Sequence, residues 1–474
     1  MVNSINLAKG RGWAGESFLR GMRGDRGGDH TEAMTTVDFF QDNYAPVREE
    51  VTAFDLAVTG TIPPELDGRL LRIGPNPVTD PAPTDHWFTG SGMVHGLELG
   101  DGRARWYRNR YVNSDEVADA LGRPHMPGPR HDGGDGTANT NVIGHAGKTL
   151  AIVEGFNFPV ELDHELETVA STDFDGTLTG TFTAHPKRHP DTGELHAVTY
   201  YFGWDFVRYV VVGTDGRVRR TVDVPTGHSP MVHDCSITES AVLILDFPVH
   251  FDLEAAMTGA SLPYRWKRDE VCRIGVLPFD APAEAVTWCE LDPCFVFHPM
   301  NSFDRADGTI QLDVCRHESM FDTVTNGPAE GPPTLTRWIL DPAKGTVTEE
   351  LLDDRNQEFP RVDERRVGKD ARYGYSVGFV GDEGPAFKRD LRTNEVELHD
   401  FGPGRSTQEM VFVPRAPDAA EDDGWCMSYV HDANTDTADV VILDAQDFAG
   451  EPQAVVHLPQ RVPYGFHGNW VPNP

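Results

Sequence analysis

Apolar residues along this chain fall in short bursts, not at helical spacing. Runs rich in Val, Ile and Leu recur at 69–73, 149–153, 209–213, 241–245 and 440–443. Between such runs stand Asp-Gly pairs at 101–102, 175–176, 215–216 and 307–308. Strand-sized runs at short intervals, punctuated by hairpin-type pairs, predict an all-β architecture. Only 113–121 and 252–259 read as helices, and they are expected to lie in a cap. No low-complexity linker interrupts 37–474, so one continuous domain is expected there. Residues 1–36, Gly- and Arg-rich without periodicity, are expected to be a disordered tail. A β chain of this length must hide its sheet edges, and a large β-propeller does so by closing on itself. Exact repeats are not visible, so the pattern leaves the blade count open.

Charge and cysteine content narrow the function classes. With 41 basic and 75 acidic residues the formal net charge is −34. Phosphate recognition needs a basic face, so nucleic acid is excluded as a partner, and so is broad docking to anionic lipid. The acid excess is spread along the chain and reads as solubility. The six cysteines form no CxxC pair and are too sparse for a disulfide scaffold. They are expected to be buried free thiols in a reducing cytoplasm. No stretch approaches the ~20 apolar residues of a transmembrane helix, and no apolar leader opens the chain.

Among 19 histidines, four stand apart by context. His185 lies in Ala184-His185-Pro186-Lys187, and His233 in Met231-Val232-His233-Asp234. His298 ends an apolar run, and His467 follows Tyr464-Gly465-Phe466, where glycine permits close backbone approach. Their wide separation excludes a zinc finger or a helical HExxH site. It suits imidazoles on separate blades aimed at a propeller axis; a set of unrelated core histidines is the competing reading. Four neutral imidazoles would leave two positions of an octahedral Fe(II) ion open, whereas zinc more often takes a closed tetrahedral set. Glu154, Glu358 and Glu409 each stand in an apolar setting. A buried carboxylate needs a partner, and the second nitrogen of a ligating imidazole needs an acceptor. Alternatively, each faces solvent from a strand edge.

Other phrases carry little. His250-Phe251-Asp252 has the H-x-D form of a facial triad but arises readily by chance. Gly227-His228-Ser229-Pro230-Met231 falls short of a nucleophile elbow. Gly147-Lys148-Thr149 reads as a hairpin turn running into a strand, and no G-x-G-x-x-G opens a helix.

The ordered set of phrases resembles the carotenoid cleavage oxygenase family. It includes Arg72-Ile-Gly-Pro-Asn-Pro77, the segment from His86 to His95, Tyr107-Arg-Asn-Arg-Tyr-Val112, Ala138-Asn-Thr-Asn141, Glu358-Phe-Pro-Arg361 and Val462-Pro-Tyr-Gly-Phe-His-Gly468, besides the histidine phrases above. The resemblance implies a seven-bladed propeller with a loop-and-helix cap over the active face. It implies Fe(2+) held by His185, His233, His298 and His467, with Glu154, Glu358 and Glu409 behind them. Thr140 falls at the position that crowds the sixth coordination site. His185 is expected to be the ligand without a glutamate. The reaction implied is dioxygen-dependent cleavage of a C=C bond to two carbonyl products, which needs no reducing cofactor.

In stilbene-cleaving members a lysine precedes the first glutamate. Val153 stands there instead, which favours a carotenoid or apocarotenoid over a hydroxystilbene. A non-catalytic propeller scaffold is the reading from a different class. A polyene substrate resides in lipid, so a cytoplasmic protein with weak peripheral membrane contact is expected, through Phe251, Leu253, Met257 and Leu262.

Overall fold

The computed structural model describes residues 38–379 and 384–473, so the expected tail over 1–36 lies outside the described residues. The described chain is almost wholly β, in small sheets of antiparallel meanders arranged like a propeller. Gly68–Pro75, Gly92–Gly100 and Arg103–Tyr111 form the body of the first sheet. The second runs Asn141–His145, Lys148–Ile152, Val160–Leu162, Thr168–Ser171, and the third Lys187–Arg188, Leu195–Thr199, Phe206–Val212, Val218–Pro225. An eight-stranded sheet follows. It consists of two four-stranded meanders, from Cys235–Ile237 to Thr287–Leu291 and from Phe295–Asp304 to Thr346–Asp353, joined by the single parallel pair Glu290–Thr346. Gln357–Val362 opens the next four-stranded sheet, and Gly424–Asp432, Thr437–Asp444 and Ala454–His457 form the body of the last, flanked by Arg405–Thr407 and Val411–Pro414.

The two ends of the chain interlock. Gly468–Pro472 adds to the first sheet by pairing with Gly68–Pro75, while Val58–Gly60 adds to the last sheet by pairing with Ala454–His457. Each end thereby covers an edge that would otherwise be open.

The apolar runs owe their lack of alternation to this stacking. Every residue of Ala241–Asp246 is buried, because neighbouring sheets cover both faces. Leu71, Ile73 and Val94 of the first sheet pack on Val142, Ala151 and Val160 of the second. The outer strand Val218–Pro225, with one face in water, does alternate. Asp101-Gly102 forms the expected two-residue hairpin, both residues at positive φ (54° and 69°), as a right-twisted hairpin requires. Asp175-Gly176 joins no paired strands; it turns the chain within the long connection between the second and third sheets.

Both expected helices form. Ser114 caps Asp115–Leu121 and Asp252 caps Leu253–Met257. The second belongs to a cap built on the hairpin Val249–Phe251 and Tyr264–Trp266. Leu253 and Met257 are 60% and 75% exposed. Leu262, expected beside them, is buried instead and lines an internal cavity, because the chain turns inward before Tyr264. Its outer place is taken by Phe202, whose ring stacks on Phe251. All six cysteines are buried and free. Among the described residues no helix is long and apolar enough to cross a membrane.

Candidate metal centre

Four strands at sheet edges each present a histidine. His185 ends the loop before Lys187–Arg188, His233 lies just ahead of Cys235–Ile237, and His467 immediately precedes Gly468–Pro472. His298 stands inside Phe295–Asp304, where the ladder slips between Val296 and Pro299; a bulge of this kind re-aims a side chain. His467 is placed by backbone contact. A Cβ on Gly74 would sit 2.4 Å from the Gly465 Cα, so two bare glycines let the loop lie on the first sheet. Hydrogen bonds from Ile73 N to His467 O (3.0 Å) and from Phe466 N to Ile73 O (3.1 Å) hold it there.

The four imidazoles converge: all are buried, and one ring nitrogen from each lies within 4.8 Å of every other. The Nε2 atoms of His233 and His298 are 3.1 Å apart. Adjacent ligands on an octahedral ion with bonds of ~2.1 Å would stand about 3 Å apart. Three rings are held from behind. The Nδ1–H of His298 donates to Glu358 Oε2 (2.6 Å), that of His467 to Glu409 Oε1 (2.9 Å), and that of His233 to Glu154 Oε2. An ionised carboxylate only accepts, so each contact sets the tautomer that leaves Nε2 as a lone pair facing the centre. His185 has no such clamp. Its Nδ1 is 3.6 Å from Asp234 Oδ2, beyond a hydrogen bond, and its buried Nε2 has no partner. An ion at the centre would satisfy that nitrogen, so the residues present fit a first-row divalent metal.

The glutamates are themselves well supplied with donors. The Tyr200 hydroxyl donates to Glu154 Oε1. Glu358 accepts from Phe359 N (2.5 Å) and from His317 Nε2 (3.4 Å). Glu409 accepts from Gly468 N (2.8 Å) and lies 3.2 Å from an Arg361 guanidinium nitrogen. Burial alone would raise all three carboxyls. The facing imidazoles and these donors outweigh it and hold them below the usual carboxylate range. His185 is driven well below the usual imidazole range, by burial first and then by its histidine neighbours. Burial brings His467 down to about 4 despite Glu409.

A cavity of about 990 Å³ reaches this cluster, lined by Thr140, Val153, His233, His298 and His467 among others. Aromatic rings line it beside the cluster. Phe297 stands edge-on to His233, with ring centroids 4.9 Å apart, and Phe88 contacts Phe297 and Phe466. Phe359, at a positive φ of 52° in the bulge after Glu358, lays its ring along His298 at 5.3 Å. Thr140 is buried, gives its hydroxyl to Asn139 Oδ1 (2.8 Å), and accepts from His467 N through its carbonyl (3.2 Å).

Comparison with known proteins decides the family. The family described as retinal pigment epithelial membrane protein matches over residues 44–472. A carotenoid cleavage oxygenase of Mycobacterium tuberculosis is 45% identical, over 90% of this chain and 96% of that protein. The chain belongs to the carotenoid cleavage oxygenase family. Two crystal structures among those that match share the fold. One is the Pseudomonas brassicacearum lignostilbene dioxygenase (TM-score 0.84, 28% identity, 93% of this chain and 99% of that one). The other is a cobalt-substituted Synechocystis apocarotenoid oxygenase (TM-score 0.81, 26% identity, 92% and 98%). Membership makes this oxygenase a metal-dependent dioxygenase that cleaves carbon–carbon double bonds.

The structure brings the four histidines and three glutamates named from sequence together in space; sequence reasoning assigned no role to Tyr200, His317 or Arg361, nor to Asp234 and Lys187 behind His185. Arg361, Asp234 and Lys187 stand inside the family phrases, so position alone could have flagged them; Tyr200 and His317 carry no such signal. A second cluster, His228, Asp246 and His250, also has its ligand atoms close together. Its two rings stack face to face at 3.8 Å, and His228 Nε2 is taken by Asp246 Oδ1 (2.9 Å). Arg273 already engages Asp246. Asp252 of the H-x-D phrase caps a helix through Ala255 N.

Proposed function

We propose that this oxygenase is a non-haem Fe(II) enzyme that cleaves one double bond of a carotenoid or apocarotenoid, with O2 supplying both carbonyl oxygens. The observation that carries the reading is the cluster of four imidazoles, three of them braced by glutamates, at the end of an apolar cavity. His185, His233, His298 and His467 would hold the iron, which supplies the activation of dioxygen when bound. Glu154, Glu358 and Glu409 keep three rings in the binding tautomer, and Thr140 crowds one face of the centre through its fixed link to His467. The aromatic walls orient the polyene and exclude water from the reacting carbons.

Counting the eight-stranded sheet as two meanders supports seven blades, and the interlocked ends support one domain over 37–474. Val153 lines the cavity beside Glu154 and offers no donor to a phenolate, and the Tyr200 hydroxyl is already engaged by Glu154. Both favour a polyene, although the lignostilbene-cleaving relative keeps a hydroxystilbene as the second reading. The exposed Phe202, Leu253 and Met257 support weak contact of a cytoplasmic protein with lipid. Iron analysis of the purified protein tests the centre: one iron per chain is expected, and none would leave a scaffold. Steady-state comparison of a β-apocarotenal with resveratrol tests the substrate, and a higher kcat/KM for resveratrol would overturn it.

A further inference from the structure

Two cavities meet at the histidines. The apolar one described above touches His233, His298 and His467. The second, of about 830 Å³, touches His185, His298 and His467. It is the more polar of the two: beside Pro186, Pro299, Met300 and Phe359 its lining carries Asn141, Lys187, Asp234, Ser236, Arg361 and Asn469. His185 therefore faces only the polar side, and it is the one ring of the four without a carboxylate clamp. The reason lies in Asp234. Its carboxylate is held by Lys187 Nζ (2.8 Å) and accepts from Cys235 N (2.6 Å), so its charge is offset and its oxygens are engaged short of His185.

A divalent cation travels hydrated and gives up its water only to replacement ligands. Where the apolar cavity meets the cluster it presents the rings of Phe88, Phe297, Phe359 and Phe466, while Glu154, Glu358 and Asn139 there are already engaged by other groups, so an ion would have to shed water with no replacement ligand. The second cavity offers amides, a hydroxyl and carboxylates, and its cations Lys187 and Arg361 are each paired with a carboxylate, so the ion stays solvated to the last step. We propose that the polar cavity is the route by which the metal ion, as a hydrated divalent cation, enters and leaves the centre, with His185 the last ligand to close on it. The substrate takes the other cavity, so metal exchange and polyene binding use separate doors. This inference rests on the metal-site reading above.

The test plugs each door in turn. Since the native cysteines are buried, a bulky polyethylene-glycol maleimide will select an introduced thiol. Val367→Cys places it on the wall of the polar cavity, and Ser261→Cys on the apolar one, at an exposed position. Val169→Cys, exposed on the polar cavity, serves if V367C folds poorly. Co2+ loading of the full chain, and its release to excess chelator, are followed by visible absorption. The bulky label on V367C should slow both rates at least roughly tenfold, and on S261C should change them less than about twofold. A small methyl cap on either cysteine should leave wild-type rates. Slowing by the S261C label alone, equal slowing by both, or none, would overturn the route. One Co2+ per chain with rates indifferent to the V367C label leaves the metal site standing and removes the inference; no bound Co2+ in unlabelled protein removes both.

Discussion

The three glutamates behind the histidines look alike in sequence but are not equally replaceable. Glu409 receives His467 Nδ1–H at 2.9 Å and Gly468 N–H at 2.8 Å, with an Arg361 nitrogen at 3.2 Å. In Glu409→Gln one oxygen becomes an NH2 group. With the remaining oxygen on His467, that NH2 must face a backbone donor that cannot turn away. Each hydrogen bond to a charged group is worth about 1.5–3 kcal/mol, and a stranded buried donor costs a similar amount. Metal affinity should fall by roughly 100-fold, the upper end of the range for such outer partners. Glu154 receives only His233 Nδ1–H and the Tyr200 hydroxyl. In Glu154→Gln the oxygen can stay on His233 while the NH2 turns to Tyr200, whose hydroxyl rotates and accepts. All contacts survive and only the charge is lost, so the fall should be roughly tenfold or less. Competition of each Co2+-loaded variant against a chelator gives the two affinities, and the Co2+ absorption bands report ligand geometry independently of activity. Equal losses, or a larger loss in Glu154→Gln, would refute the argument that donor geometry and not charge alone sets the hold on the metal.

Val153→Lys puts a donor beside Glu154 at the cavity wall, and should raise kcat/KM for a 4-hydroxystilbene by about tenfold or more, since an unmet phenolate costs about 1–3 kcal/mol. Burial, aided by Arg265 for His86 and by Arg72 and Arg461 for His95, lowers both imidazoles to about 3. The unfolded chain then binds more protons than the folded one, so stability is present above the unfolded value near 6.5 and is lost as pH falls below it; at pH 5.5 each should cost about 1.4 kcal/mol, seen as a lower Tm that His95→Gln partly relieves. Vesicle co-sedimentation should depend on Leu253 and Met257, weaken in Met257→Ser, and persist in high salt, because a net charge of −34 gives no overall attraction to anionic lipid for salt to screen.

Much of this protein was legible in one dimension. Short apolar runs and Asp-Gly pairs announced strands and hairpins because both signals are local, set by φ/ψ preference and burial. The histidine phrases were legible because three stand just ahead of an edge strand and His298 at a bulge within one, where side chains face the axis. The glutamates were legible because an acid in an apolar run must find a donor. What only the tertiary structure decided is which groups meet. Glu154 reaches His233, Glu358 His298 and Glu409 His467 across separate sheets, and no spacing rule encodes those pairings. Leu262 was misplaced because exposure in a cap depends on where the chain turns, not on its apolar character. Tyr200 and His317 gain their roles only from lying behind a glutamate. Asp234 stops 3.6 Å from His185 because Lys187 holds it there. The sequence determines which residues can serve as strands, ligands and acceptors. Closure of the propeller, by joining the first and last sheets, decides which of them share one point in space.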